Sequence, residues 1–229
     1  MLALPYYAGF LGIEILQDKK MNTYWDIRYQ AEGKIWGDEP SLTARRALEI
    51  FQENKVNKLL VPGSGYGRNT RLFSGAGMQV TGVEISFEAC RLAMDFDPQT
   101  RVFNISALDM SSLRGRYDGI YCFNVLHLFR EADRKKFIKE CVKNVRIASP
   151  MFFTVFSEKE ESFGKGAEVE KNTFESKPGR PVHYFSEPDL KYHFRGMEIM
   201  ETNLMEDHEN HGEGPHTHIL RYICVKASK

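Results

Sequence analysis

A glycine-rich turn between a short apolar run and a predicted helix constrains this chain most. Residues 59–61 are apolar, as in a buried strand, and Gly63, Gly65 and Gly67 follow them at every second position. Glycine has no Cβ, so this spacing predicts a turn whose backbone a ligand can approach, with amide N–H groups facing it. The stretch therefore predicts a strand–turn–helix unit with a ligand at the turn.

An acidic residue follows at the end of the next predicted strand. Residues 78–83 form a second apolar run, and Glu84 comes 21 residues after Gly63. A carboxylate at that point is where the ribose diol of an adenosine would be held. The dinucleotide motif G-x-G-x-x-G is absent, because Arg68 and Thr70 occupy its third glycine position in the two registers. NAD and FAD are therefore disfavoured, and no phosphate-binding P-loop motif is present.

Strand-like and helix-like segments alternate beyond the turn. Because such alternation is typical of βαβ units, it predicts an α/β fold with a parallel, doubly wound sheet and helices on both faces. In these sheets the ligand crevice lies beyond the carboxyl ends of the strands. The glycine turn, Glu84, Asp109 and Asn124 all fall at or just past such ends. The predicted strands are 59–61, 79–83, 102–105, 119–125 and 151–156. Three helices are predicted to start after Ser41, Ser86 and Ser186, and a further helix is predicted at about 131–145.

The amino-acid composition limits the classes of function that this chain can have. The 229 residues suffice for one domain with a sizeable core. Lys plus Arg equals Asp plus Glu at 31 each, so no overall charge recruits nucleic acid or an anionic membrane. Four scattered cysteines without a C-x-x-C pair predict reduced core residues of a cytoplasmic protein.

The segment before the first predicted helix is rich in aromatic residues and in glycine. We expect residues 21–40 to be an irregular approach to the fold. Trp25 is expected to pack in the core. Trp36, flanked by Gly37 and Asp38, is expected at the mouth of a pocket.

These motifs resemble class I S-adenosylmethionine-dependent methyltransferases, and in particular the tellurite-resistance and the thiopurine or thiol methyltransferases. The resemblance implies a Rossmann-like, mostly parallel sheet of seven strands whose last strand, at about 219–225, is antiparallel. The matching segments are LLVPGSGYGRN, TGVEIS, YDGIYCFNVLHLF and the tail GEGPHTHILRYICVK, together with Trp36-Gly37, Pro40-Ser41 and Leu108-Asp109-Met110.

The resemblance also implies S-adenosylmethionine as cofactor and assigns residues to it. Glu84 would hold the ribose, Asp109 would contact adenine with Leu108 or Met110 packing on the ring, and Asn124 would lie beside the methionine moiety. Val61 stands where many members have an acid, which favours the thiol-type branch, and no Asn/Asp-Pro-Pro-aromatic motif follows the fourth strand. The implied cofactor-binding residues are Trp36, Gly63, Gly65, Gly67, Glu84, Ile85, Asp109, Met110 and Asn124.

The acceptor follows from the chemistry of the methyl group. Because the sulfonium already activates it, a soft anion needs no strong base, whereas an oxygen or nitrogen nucleophile usually does. We therefore expect a small-molecule acceptor that is a thiol or a tellurium or selenium oxyanion. A small-metabolite O- or N-methyltransferase and a non-catalytic S-adenosylmethionine-binding module are the alternatives. No catalytic residue is identified; the candidate substrate residues are His127, His183, Tyr184, His211 and His216.

Four histidines lie between positions 208 and 218, in what the glycines and proline there predict to be a flexible loop. A transition-metal site, an acceptor site and a solvated loop all fit this composition. We predict an acceptor-site loop without a required metal, because Gly212, Gly214 and Pro215 separate the histidine pairs without fixing a ligand geometry. His211→Ala and His216→Ala should then slow turnover while cofactor affinity stays nearly unchanged.

The first twenty residues are apolar but interrupted by a proline, two glycines and a glutamate. They are too short to span a bilayer and lack the features of a secretory signal. We expect residues 1–20 to be a dispensable extension, or an arm packed on a partner chain in a homodimer. Residues 21–229 would then form the methyltransferase domain, with Met21 as an alternative start.

Overall fold

The computed structural model describes residues 13–15, 23–177, 179–211 and 214–227. The helices are α1 (Thr23–Glu32), α2 (Leu42–Glu53), α3 (Thr70–Gly75), α4 (Phe87–Phe96), α5 (Glu131–Asn144) and α6 (Glu187–His193), with a 3-10 helix at Leu126–Leu128. The strands are β1 (Ile13–Ile15), β2 (Lys58–Pro62), β3 (Gln79–Glu84), β4 (Arg101–Asn104), β5 (Gly119–Phe123), β6 (Pro150–Phe156), β7 (Ala167–Glu170), β8 (Thr173–Lys177), β9 (Arg180–His183), β10 (Glu198–His211) and β11 (Gly214–Lys226).

The main sheet has the strand order β1-β4-β3-β2-β5-β6-β11-β10. Strands β1 to β6 run parallel, and β11 is antiparallel to both β6 and β10. The chain crosses over in opposite directions from β2, so the switch point lies between β2 and β5, where a crevice opens beyond the carboxyl ends. The predicted seven-stranded, doubly wound sheet with an antiparallel last strand is confirmed, and β1 adds an eighth strand at its edge.

Three predicted helix starts are also confirmed. The side chains of Ser41, Ser86 and Ser186 each accept a hydrogen bond from the backbone N–H three residues later, which caps α2, α4 and α6. Each cap satisfies one N–H that has no partner within its helix.

The core lies on both faces of the main sheet. Side chains alternate between the faces of a strand, so Phe152 of β6 packs in the cluster with Phe51 and Phe73, while Phe153 packs in the cluster with Phe137. All four cysteines are buried and unpaired, as the sequence predicts. No helix in the described part of the chain is both long and apolar enough to cross a membrane.

The aromatic segment 21–40 was predicted to be irregular, but it contains helix α1. Trp25 and Tyr29 are four residues apart, so they share one face of this helix, which packs against α4. Trp25 is half-buried in a cluster with Tyr29, Trp36 and Tyr66. The spacing of the aromatic residues carries a helical signal that the nearby glycines obscure.

Three further departures concern the chain ends and the region after β6. Residues 13–15 of the predicted extension form β1 and pair with residues 102–104 of β4; positions 1–12 and 16–22, Met21 included, lie outside the described residues. A small antiparallel sheet, β7-β8-β9, which the sequence did not predict, precedes α6. The histidine-rich tail, predicted as a flexible loop, consists of the paired strands β10 and β11.

Candidate functional site

The glycine turn leaves β2 and is fixed by the end of β3. The backbone N–H groups of Gly63 and residue 64 donate to Val83 O at 2.6 and 3.1 Å. Gly63, Gly65 and Gly67 have φ of 68°, 57° and 97°, which side chains rarely adopt. A Cβ at Gly63 would lie 2.1 Å from Val125 Cγ2. At Gly63, therefore, the missing side chain serves packing against this chain, whereas the sequence predicted a surface left bare for a ligand.

Glu84 sits at the end of β3, as predicted, and its carboxylate binds the turn. Its Oε2 accepts the Gly65 N–H and its Oε1 accepts the Ser86 N–H, both at 2.8 Å. Burial raises the pKa of Glu84, and the hydrogen bonds from Ser86 and Gly65 oppose that rise. An ionised carboxylate offers about four acceptor positions, so Glu84 retains capacity for the hydroxyl groups of a ribose.

Helix α1 covers this part of the turn. Asp26 Oδ1 accepts the Ser86 hydroxyl at 2.6 Å, next to the backbone group that Glu84 binds. The Tyr29 hydroxyl lies 3.0 Å from the position that a Cβ on Gly65 would occupy. The helix thus supplies a polar wall beside Glu84 that the sequence analysis missed; the four-residue spacing of Trp25 and Tyr29 is the signal that would have found it.

Trp36 is half-buried beside the turn and is held there through its backbone. Its N–H donates to the Tyr66 hydroxyl at 3.2 Å, and its ring stacks on Tyr66 at 6.3 Å between centroids. Arg68 Nη1 donates to the Trp36 carbonyl at 3.1 Å, and Nη2 donates to Glu209 Oε1 at 2.9 Å. Arg68 thereby joins the turn to the end of β10. In the sequence, Arg68 is distinguished only by occupying a position where the dinucleotide-binding motif has glycine.

Asn124 directly follows β5 and has a left-handed backbone conformation, with φ of 56°. Its backbone N–H donates to Thr154 O at 3.0 Å, which fixes the residue against β6. Its Oδ1 is buried and has no hydrogen-bond partner within the described residues. Because buried acceptors are normally satisfied, this oxygen fits a donor from outside the chain, such as the ammonium of a methionine moiety.

The segment after β4 holds the residues predicted to contact adenine. Asp109 is exposed, and its Oδ1 accepts from the backbone and the hydroxyl of Ser111 at 3.2 and 2.7 Å. The Met110 side chain is fully buried in the core, whereas Leu108 is only half-buried. Leu108 is therefore the better candidate of the two for packing on a ring. The Ile85 carbonyl accepts from Asn104 Nδ2 at 3.0 Å, which fixes the backbone between β3 and α4.

A second group of side chains lies beyond the carboxyl ends of β5 and β6, where a doubly wound sheet is expected to bind its ligand. His127 is buried, its Nδ1 accepts the Phe156 N–H at 3.2 Å, and its ring stacks on Phe156 at 4.3 Å. Burial lowers the pKa of His127 well below its usual value, and the charge of Arg180 lowers it further. The ring is therefore neutral, with its proton on Nε2. His218 stacks on the same phenylalanine at 5.0 Å.

Arg180 begins β9, which packs against the 3-10 helix that carries His127. Its Nη1 donates to the Tyr24 hydroxyl at 3.1 Å, and its guanidinium lies 5.3 Å from the centroid of that ring. The Nε–H is buried and has no acceptor among the residues that the structure describes. A permanent cation with an unused buried donor beside a neutral imidazole is an environment suited to an anion.

Other predicted substrate residues are engaged within the protein. His183 lies between Thr173 Oγ1 at 2.8 Å and Asp189 Oδ2 at 2.6 Å, so both ring nitrogens hold the small sheet against α6. The Tyr184 hydroxyl donates to Ser162 Oγ at 2.8 Å. His211 ends β10, and its side chain lies outside the described residues. His216 lies in β11 beside His218, with 3.1 Å between their Nε2 atoms.

Comparison with known proteins gives one family. The profile of the methyltransferase-domain family matches residues 60–147, which run from within β2 through the glycine turn, Glu84 and Asn124 to just beyond α5. No curated protein matches the chain.

Solved structures share the fold at low sequence identity. One, from work on the conversion of a disulfide bond into a thioacetal group during echinomycin biosynthesis, is 18% identical with a TM-score of 0.69, over 90% of this chain and 92% of that chain. The Burkholderia thailandensis 1,6-didemethyltoxoflavin-N1-methyltransferase with bound S-adenosylhomocysteine is 19% identical with a TM-score of 0.65, over 89% and 85%. TehB from Haemophilus influenzae is 14% identical with a TM-score of 0.62, over 81% and 62%.

Proposed function

We propose that this chain is a class I S-adenosylmethionine-dependent methyltransferase and that it methylates a small, soft, anionic acceptor. The acceptor class is a thiolate or a tellurium or selenium oxyanion. Residues 21–229 form the methyltransferase domain in this proposal. One structural neighbour comes from work on the conversion of a disulfide bond into a thioacetal group, and this link between the fold and sulfur chemistry supports the proposal.

In this proposal the cofactor lies between the glycine turn and Asn124. Glu84 accepts hydrogen bonds from the ribose, Asn124 Oδ1 accepts from the ammonium, and Asp109 with Leu108 holds adenine. Trp36 closes the rim beside the turn. Bound S-adenosylmethionine supplies a methyl group that its sulfonium has already activated, so the protein has to align the acceptor and exclude water.

The observation that carries the acceptor class is the pairing of Arg180 with His127. Arg180 offers a charged, buried Nε–H, and the neutral His127 has its proton on Nε2, the nitrogen that Phe156 does not contact. Both groups can hold a negative acceptor, and neither can take up a proton at neutral pH. A soft anion needs no proton removed, whereas a phenol or an amine does.

A second candidate rests on His218. Glu160 Oε1 lies 2.5 Å from its Nδ1. Burial lowers the pKa of His218, but the hydrogen bond and charge of Glu160, with the charges of Glu209 and Asp207, raise it above its usual value. An imidazole held by a carboxylate is the usual form of a general base. This observation favours an O- or N-methyltransferase.

A matched set of acceptors separates the two candidates. Thiophenol, phenol and aniline have the same ring and differ in the attacking atom, and tellurite and selenite extend the set to oxyanions. The measurement is S-adenosylhomocysteine release with the full chain across pH 6 to 9. We expect thiophenol to react at least about tenfold faster than phenol or aniline. Faster reaction of phenol or aniline, with a rate that rises with pH as the imidazole loses its proton, selects the His218 base. Cofactor binding without turnover of any member selects a non-catalytic module.

Arg180→Gln tests the anion-binding pair directly. It should lower kcat/KM for the preferred acceptor about 10- to 100-fold, the effect of losing a charged hydrogen bond, with cofactor affinity unchanged. Arg195→Gln is the matched control, because Arg195 is exposed and also lies over a tyrosine ring, 4.2 Å from the centroid of Tyr192. Equal kcat/KM in the two variants would remove Arg180 from the acceptor site.

A further inference from the structure

The paired strands β10 and β11 bring three metal-binding side chains together. Their register places Glu209 opposite His216 and Asp207 opposite His218, so all four side chains project from one face of the hairpin. One ligand atom from each of Glu209, His216 and His218 lies within 4.8 Å of the others. This pairing supplies the fixed geometry that the glycines and proline of the turn could not be expected to provide.

The distances match those of a tetrahedral site. The Nε2 atoms of His216 and His218 are 3.1 Å apart, and His218 Nε2 is 3.6 Å from Glu209 Oε2. Ligand atoms about 2.0–2.1 Å from a tetrahedral zinc ion are about 3.3 Å apart. The two separations lie on either side of that value, and the third, between His216 and Glu209, is within 4.8 Å, so a rotation of the side chains is what would bring all three ligand atoms around one ion.

Each imidazole is also oriented through its other nitrogen. His216 Nδ1 lies 2.9 Å from the Gly214 carbonyl, and His218 Nδ1 lies 2.5 Å from Glu160 Oε1. A carbonyl or a carboxylate can only accept, so the protons sit on Nδ1 and the lone pairs of both Nε2 atoms face each other. Glu160 is itself held by the Ile219 N–H at 2.7 Å. Such carboxylate or carbonyl partners are the usual second shell of a metal-bound histidine.

Two lone pairs at 3.1 Å repel unless a cation lies between them. The surroundings favour a cation with more than one charge, because Asp207, Glu209 and Glu160 are all buried while Arg68 brings one positive charge to this group. Asp207 Oδ2 is buried and has no hydrogen-bond partner within the described residues. A single proton between the two rings would add one positive charge, and the negative charges of these carboxylates would still outnumber the positive ones.

We propose that Glu209, His216 and His218 bind a divalent transition metal, with Glu160 orienting His218. Two imidazoles and one carboxylate form a borderline donor set that suits Zn²⁺. This replaces the sequence-based expectation of a tail without a metal. Three protein ligands leave the fourth tetrahedral position to water or to an acceptor thiolate. Only the binding of a thiolate there rests on the proposed function.

The test is metal binding by the full chain, produced without a polyhistidine tag and stripped with a chelator. Calorimetric titration with Zn²⁺ at pH 7.5 should give one equivalent. His216→Ala and His218→Ala should each weaken binding at least about 100-fold, and Glu160→Gln, which changes only the second shell, about 10- to 100-fold. Co²⁺ should give the intense visible absorption of tetrahedral coordination in the wild type and lose it in His216→Ala.

His208→Ala is the matched control. His208 lies in β10 next to Glu209, points to the opposite face of the hairpin and is exposed, with its Nδ1 2.8 Å from Thr217 Oγ1. It should leave the stoichiometry and the affinity unchanged. Circular dichroism and melting temperature show that each variant is folded, and His216→Ala, at the less buried end of the hairpin, keeps the test valid where His218→Ala unfolds.

Two results would overturn the proposal. One is Zn²⁺ binding that is equally tight in wild type, His216→Ala and His208→Ala. The other is no binding by the wild type, with imidazole signals in an NMR pH titration that identify a proton shared between the two rings. Because these measurements need neither cofactor nor acceptor, they succeed or fail independently of the methyl-transfer assay.

Discussion

The two walls of the crevice differ in how their polar groups are satisfied. On the glycine-turn wall, formed by residues 63–67 and Glu84, the backbone amides and the carboxylate bind one another, and one side-chain atom, Ser64 Oγ, is buried without a partner in the described structure. On the acceptor wall, formed by residues 124–127, Arg180 and the β10–β11 hairpin, Asn124 Oδ1 and Arg180 Nε are buried without partners in the described structure. An unsatisfied buried group costs about 1–3 kcal/mol. The backbone and the carboxylate of the first wall are thus preorganised by the chain itself, whereas the second wall presents an unpaired charged donor and an unpaired amide oxygen to the ligands that we propose for it.

Substitutions on the glycine-turn wall should therefore damage folding and cofactor binding together. The largest effect is expected from Gly63→Ala, because its Cβ would clash with Val125 Cγ2 and its φ of 68° is unfavourable for alanine. Overpacking of about 1–3 kcal/mol and strain of about 1–2 kcal/mol give a loss of roughly 2–5 kcal/mol in the free energy of unfolding. Urea denaturation measures the loss, and calorimetry measures the cofactor affinity that falls with it.

Gly77→Ala separates the clash from the strain. Gly77 has φ of 87°, and a Cβ there would meet no heavy atom within 4 Å. It should lose only about 1–2 kcal/mol and bind cofactor normally. Equal losses in the two variants would show that the contact with Val125 relaxes easily.

Glu84→Ala is the next largest perturbation of this wall. It removes the acceptor of the Gly65 and Ser86 amides as well as the proposed ribose contact. Cofactor affinity should fall by about 1.5–3 kcal/mol, the usual contribution of hydrogen bonds to a charged group. Glu88→Ala, on the first turn of α4, is the control and should bind normally. Unchanged affinity by calorimetry would remove Glu84 from the cofactor site.

The same contrast explains what could be predicted from the sequence. The glycine turn, Glu84 and the serine caps are local patterns, in which residues close in the chain determine the backbone, and their positions were predicted correctly. The acceptor wall joins residues far apart, such as Arg68 with Glu209 and His218 with Glu160. Those pairs depend on strand register. The tail was predicted as a loop because its glycines and proline conceal the cross-strand pairing of β10 with β11.

The acceptor wall should respond to pH rather than to packing. Burial holds the pKa of His127 well below that of the unfolded chain, which is about 6.5. The neutral ring therefore contributes stability above pH 6.5, and that stability is lost as the pH falls from 6.5 through the folded pKa, because the unfolded chain takes up the proton. His183, whose pKa burial also lowers, acts in the same direction.

His127→Asn should reduce this acid sensitivity, since asparagine keeps an acceptor for the Phe156 N–H but does not titrate. Between pH 6.5 and 5.5 the free energy of unfolding should depend on pH less steeply than in the wild type, by at most about 1.4 kcal/mol per pH unit. Urea denaturation at three pH values gives the slopes, with His208→Ala as the exposed control. Identical slopes in wild type and His127→Asn would mean that His127 has the same pKa in the folded and the unfolded protein.

The smallest effect is expected far from both walls, at the edge of the main sheet. A chain that begins at Met21 loses β1, which contributes three residues paired with β4 and no side chain that we assign to the crevice. It should bind cofactor as the full chain does, and a loss of up to about 1 kcal/mol would lower its melting temperature by about 2–4 °C. A much larger fall, with light scattering unchanged, would make residues 1–20 part of the domain. The same fall accompanied by a halved molecular mass would show that they pack on a partner chain.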